Sequence, residues 1–289
     1  MLKLIVFLMM VVCLTACTSK LYQSGELWQS PTPTFAPNAT KAERIVAIAL
    51  REHQAWGEPF ITTDGRIAQY EHYESEKSRL LDGSLAWERV VAYWRDGGAL
   101  AGLDVRLPYH ECNKSDASIH SKANICRAFT SDVAWSAAFI SYVMKQAGVD
   151  FYTSPRHFDY IRHSWQGQGD YRTYPVSEPL ALGDMLCYLR GTKSHTITNY
   201  DDLTNYIRSQ NQGLPAHCDV VVRVDEHEIW LVGGNVLHTV MLRKMHAKDG
   251  VVILPKRTDG CTPYREDLCH LSQRNWVVVL KLQNPSDIF

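Results

Sequence analysis

Between positions 132 and 146 the chain has almost no polar face: Val133, Ala134, Trp135, Ala137, Ala138, Phe139, Ile140, Tyr142, Val143 and Met144 surround any helix drawn through them. A helix apolar on all sides cannot rest on a surface and must be wrapped by other elements. Gly148 supplies its C-terminal stop. Upstream, Thr40-Lys41-Ala42-Glu43 has the form of a capping box, with Ile45, Ile48, Ala49 and Trp56 close to one face, which predicts a helix over about 40–56. Ser84 is expected to cap a second helix, where Trp87, Val90, Val91 and Trp94 make an apolar stripe ending before Gly97-Gly98. Glu71, Glu74 and Glu76 between them read as a solvated acidic loop, or as a source of one carboxylate facing a later cleft.

Downstream, Ser154-Pro155 predicts a helix start, carrying His157, Phe158, Ile161 and Trp165. From Pro179 the period changes to strands, expected at 182–188, 217–224, 228–232, 236–242, 251–254 and 276–282. A polar stretch at 190–215 interrupts them, with a short helix expected near 203–207. Helices first and strands afterwards argue for an α+β fold, with the buried helix packed on an antiparallel sheet.

The 289 residues are 45% hydrophobic and 21% charged, which fits a globular chain and excludes disorder or fibrous repeats. Lys+Arg at 30 against Asp+Glu at 31 leaves a net charge of -1, without the basic surplus that phosphate-backbone binding needs, so no nucleic acid partner is expected. Residues 1–16 hold Lys3 and an apolar run too short to span a ~30 Å hydrocarbon core, the pattern of a signal peptide. Its end, Leu14-Thr15-Ala16-Cys17, resembles the bacterial lipobox, which implies acylation of Cys17 as the first residue of the mature chain. Thr18 in the next position, by resemblance to Gram-negative lipoproteins, implies a lipid anchor in the outer membrane with the protein facing the periplasm. Residues 17–39, with Pro31, Pro33 and Pro37, read as a flexible tether, 40–100 as an N-terminal helical unit, and 101–289 as the main α+β domain.

Apart from Cys13 and Cys17, six cysteines remain, and an even number in an exported chain reads as disulfides with 15 possible connectivities. The sequence-near pairs Cys112–Cys126 and Cys261–Cys269 are favoured, leaving Cys187–Cys218. No C-x-x-C occurs, and no metal or other cofactor is implied.

The signatures G-x-x-x-x-G-K, G-x-S-x-G and H-E-x-x-H are all missing. What remains is an order of residues: Trp135-Ser136-Ala137-Ala138-Phe139 on the buried helix, Gly183-Asp184 entering a strand, His217 opening another, and Gly233-Gly234-Asn235 beyond it. Over roughly 125–245 that order resembles the papain-like amidases of bacterial cell walls, the CHAP and NlpC-type families. The stretch from Trp135 to Gly148 with His157, Tyr160 and Ile161, together with Gly233-Gly234-Asn235, more closely resembles a domain-of-unknown-function family of exported bacterial proteins.

The resemblance implies a papain-like fold and an amidase or peptidase activity on peptidoglycan. Ser136 stands where those amidases have cysteine, and serine needs general-base help during attack. The implied site has Ser136 as nucleophile, His217 as base, and Asn235 or Asp219 orienting the ring. Trp135, His157 and Asp184 are candidate substrate contacts, although Trp135 reads more readily as core. Alternation along a strand turns Cys218 away from the face that carries His217 and Asp219. The competing reading is an inactive papain-like lipoprotein that binds wall peptides or a protein partner, its Ser136 a small packing residue.

Overall fold

The computed structural model describes residues 27–74, 79–103, 112, 120–256 and 260–283. The expected signal segment, Cys17 and Glu76 lie outside the described residues. The architecture is α+β, with helices layered on one mixed sheet.

Helix α1 (Lys41–Ala55) starts at the capping box read in the sequence: Thr40 accepts from the Glu43 amide, and the Glu43 carboxylate accepts from the Thr40 amide. Such a cap contributes about 1 kcal/mol. Helix α2 (Ala86–Asp96) begins two residues past Ser84, whose hydroxyl bonds Asp82 rather than the helix start. The apolar run at 132–146 is divided. Helix α3 (His120–Asp132), not foreseen, ends as that run opens, and α4 (Ser136–Gln146) begins after Trp135. Helix α5 (His157–Trp165) also starts later than Ser154-Pro155 predicts, because the Ser154 hydroxyl is engaged by the Arg156 amide and by Asp159.

The strands are β1 (Phe60–Ile61), β2 (Ile67–Gln69), β3 (Tyr171–Tyr174), β4 (Met185–Leu189), β5 (Ala216–Val224), β6 (Glu228–Val236), β7 (Thr239–Lys248), β8 (Val251–Val252) and β9 (Asn275–Leu282). Helix α6 (Tyr200–Ser209) occupies the polar stretch before β5, capped by Asn199. The sheet order is β2-β1-β7-β6-β5-β4-β9-β3, with β8 on β7. The sheet is mixed rather than wholly antiparallel, because β1, from between the first two helices, runs parallel to β7. Short strands of two to four residues carry too little period-two pattern to be seen in sequence.

Every side chain of α4 from Ser136 to Met144 is buried. The helix lies across β5 and β6, with α1 and α2 against its other sides. Trp56, Tyr93, Trp135, Phe139 and Tyr142 make the aromatic contacts of this layer, including a Trp56–Trp135 stack at 5.6 Å. Glu52, fully buried, is neutralised there by Arg89 at 2.7 Å and Arg51 at 2.9 Å and accepts from Tyr93. A second apolar cluster, with Leu186, Tyr188, Val221, Leu231 and Trp276, covers the opposite face of the sheet. Disulfides join Cys112–Cys126, Cys187–Cys218 and Cys261–Cys269, the pairing favoured from spacing.

Helix α4 approaches β6 closely because position 234 has no side chain: a Cβ there would lie 2.4 Å from Phe139 Cβ. Gly234→Ala is expected to force helix and sheet apart and cost about 1–3 kcal/mol, read as a lower urea midpoint with the disulfides intact.

Candidate functional site

The site originates in a break in strand pairing. Cys187 and Cys218 stand opposite one another with Cα atoms 4.1 Å apart. That is the close spacing of a non-hydrogen-bonded antiparallel pair, in which the backbone amides point away from the partner strand. The ladder between β5 and β6 begins only at Val220 opposite Val232. The Cys218 amide therefore faces a gap, and it donates instead to His157 Nδ1 at 3.2 Å.

This donor fixes the His157 tautomer. A backbone N–H can only donate, so Nδ1 is an acceptor, and the Tyr160 hydroxyl, one helical turn along α5, meets the same nitrogen. The ring proton then sits on Nε2, which donates to Ser136 Oγ at 2.7 Å. Burial, with the neighbouring His217 and Arg190, holds His157 well below the usual histidine range, so the ring is neutral. Ser136, the first residue of α4, is only 5% exposed, and its hydroxyl is the acceptor of this bond.

His217 belongs to a separate chain of contacts. Arg190 Nη2 lies 2.6 Å from its Nδ1, and since a guanidinium only donates, the His217 proton is on Nε2. Nε2 donates to Asp219 Oδ1 at 2.7 Å, and Asp219 Oδ2 accepts from Arg243 Nε at 3.3 Å. Arg243 is itself fixed by the Leu271 carbonyl and the Ser272 hydroxyl. Burial lowers the His217 pKa, opposed by Asp219. Burial also pushes Asp219 up, but His217 and Arg243 outweigh it and hold the carboxylate below its usual range.

Alternation explains why the two rings do not share a task. Cys218, Val220 and Val222 pack into the helix-side core, whereas Val221 packs on the other face. His217 and Asp219 share the face of Val221. A Cβ on Gly233 would collide with Asp219 Oδ1 at 1.8 Å and approach His217 Nε2 at 3.0 Å, so glycine is required where β6 passes this pair. His217, expected as the base for Ser136, is thus directed away from α4 with both ring nitrogens engaged, and the imidazole at Ser136 is His157. The ring centroids lie 4.9 Å apart across the gap.

An open cleft of about 430 Å3 lies beside the His217 chain, lined by Tyr188, Arg190, Asn235, Arg243, Arg274 and Asn275 among others. Its β6–β7 rim is strained: Asn235, Leu237 and His238 all have positive φ, at 54°, 55° and 65°. Asn and His are among the residues that most often enter that region, but leucine reaches it at a cost. His238 donates to the buried Glu74, whose carboxyl is pushed up by burial, so Glu74 is no part of a solvated loop.

The remaining expected site residues are placed plainly. Asn235 lines the cleft, while Asp219 is the group that orients His217. Trp135 is fully buried between Trp56 and Tyr93 and offers no surface to a substrate. Asp184 lies at the other end of β4, where it accepts from the Ala181 and Leu282 amides and pairs with Lys281, tying β4 to β9. Among the described residues no group of three or more His, Cys, Asp or Glu is placed to hold a metal.

Residues 82–282 match the model of a family described as an uncharacterised protein conserved in bacteria, DUF2272. The chain belongs to this family. Among curated proteins and solved structures nothing matches it.

Three site residues of this DUF2272 member were not foreseen as such: Tyr160, Arg190 and Arg243. Arg243 did leave a signal, as a charge directly after the apolar Val240-Met241-Leu242. Tyr160 is three residues after His157, the spacing that stacks side chains on one helix face.

Because both buried rings hold off protonation, unfolded histidines near pKa ~6.5 take up protons that the folded ones refuse. Their contribution to stability is complete above that value and is lost as pH falls through it. His157→Gln is expected to shrink the stability difference between pH 8 and pH 5.5 by about 1 kcal/mol relative to wild type, measured by urea titration at both pH values.

Proposed function

We propose that this chain is an exported, lipid-anchored periplasmic protein that binds wall peptides without cleaving them, on a papain-like scaffold. The observation that carries the reading is that neither imidazole offers a free base to a nucleophile. His157 points its N–H at Ser136, and His217 has one nitrogen on Asp219 and the other on Arg190. A serine nucleophile must surrender its proton to a neighbouring base during attack, and here its oxygen accepts a hydrogen bond from the imidazole instead. The site open to solvent is the cleft beside the His217 chain. Three disulfides support an oxidising compartment. The order of buried helix, His-bearing strand and Gly-Gly hairpin supports the papain-like plan.

One observation favours a second reading, a serine-type amidase acting on peptidoglycan. Ser136 is at the start of α4, where the helix dipole and free amides favour an oxyanion, and it lies 2.7 Å from an imidazole nitrogen. In that reading His157 takes the role expected of His217, and its Nδ1 must give up both donors so that the tautomer can switch.

Purified muropeptides separate the two. Under the binding reading, wild type and Ser136→Ala are expected to give the same product profile as buffer, and both to retain muropeptides in equilibrium dialysis. New products from wild type that disappear in Ser136→Ala and His157→Gln would establish the amidase instead. For anchoring, Cys17→Ala is expected to move the protein from the outer-membrane fraction to the soluble periplasm, checked by fractionation and immunoblot.

A further inference from the structure

We infer that the cleft recognises a free carboxylate of its ligand, gripped by Arg190 and Arg274 with Arg243 behind them. The inference rests on the binding reading above and specifies the chemistry of that binding. Among the described residues, three arginines line the cleft and no aspartate or glutamate does. The carboxylate that meets Arg243, Asp219, is already committed to the His217 N–H as well. Arg274 is exposed and makes no ion pair among the described residues. Arg190 spends Nη2 on a neutral ring nitrogen, a contact that places the guanidinium without cancelling its charge.

That charge is also held in orientation. The Arg190 guanidinium lies 5.6 Å from the centre of the Tyr188 ring, which is packed in turn on His217 and Trp276. A fork fixed in advance loses little side-chain entropy when it binds. Planar donor forks match a carboxylate in two parallel hydrogen bonds. Asn235, which lines the cleft, adds a side-chain amide suited to the peptide group that precedes a terminal carboxylate.

The test uses the full lipidated chain in detergent and calorimetric titration with four probes. These are diacetyl-lysyl-D-alanyl-D-alanine as the free acid, the same peptide as its C-terminal amide, an all-L peptide acid of equal length, and inorganic phosphate. The free acid is expected to bind at least tenfold more tightly than the amide. Arg274→Gln is expected to weaken the acid at least tenfold while leaving the amide unchanged, and Arg190→Gln to weaken the acid at least tenfold. Arg274 is exposed, so its variant tests the claim even where loss of the Arg190–His217 contact disturbs the fold. Equal affinity for acid and amide, no effect of Arg274→Gln, or phosphate competing as well as the acid would each overturn the inference. Wall peptides bound equally as acid and amide would remove the carboxylate grip but keep the binding reading. Equal binding of D- and L-peptide acids, both lost in Arg274→Gln, would keep the grip and remove the wall-peptide reading.

Discussion

Helix α4 has no side that water can occupy, and the surrounding elements are placed by the need to cover it. Sheet strands β5 and β6 take one side, and α1 and α2 take the others. Hydrophobic burial has no direction of its own, so close approach at particular points sets the geometry. Gly234 admits Phe139 against β6, and Gly97 lets the end of α2 meet α4, where a Cβ would lie 2.7 Å from the Tyr142 amide. The Glu52 carboxylate would be a severe cost in this layer if it stood alone, and Arg89, Arg51 and Tyr93 satisfy it together.

The same packing produces the site. At Cys218, β5 is paired with β4 but has no partner in β6, and an imidazole from α5 fills the opening. Two histidines consequently stand back to back across one strand with different surroundings. His157 looks into the helix layer and secures Ser136, while His217 looks to the far face and joins two arginines to a carboxylate. One sequence order thus supplies a serine, two imidazoles and a carboxylate but divides them between two faces.

Much of the fold was legible because its signals are local and strong. The capping box at Thr40 starts α1, and the β-branched runs locate β5 and β9 to within one residue, whereas β7 runs on to Lys248, past the expected end at 242. The boundary between α3 and α4 was not legible, since Val133 and Ala134 continue the apolar pattern through a break in the helix. The site was half legible. Alternation separates Cys218 from His217 and Asp219 correctly, but which of these faces meets α4 depends on how the sheet packs, a tertiary fact with no sequence period. His157 sits on a short helix whose docking onto β5 is likewise set by contacts distant in sequence.

The Cys187–Cys218 bridge lies at the level of both imidazoles and joins the two strands on one side of the opening. That half of the floor is a single covalent plate and cannot shear. Any widening of the cleft must be borne by the opposite bank, the β6–β7 tip with its three positive-φ residues Asn235, Leu237 and His238. One bank is therefore fixed and the other is sprung, so any change in the width of the cleft is concentrated in the tip and the arginine-bearing end of β4 keeps its position.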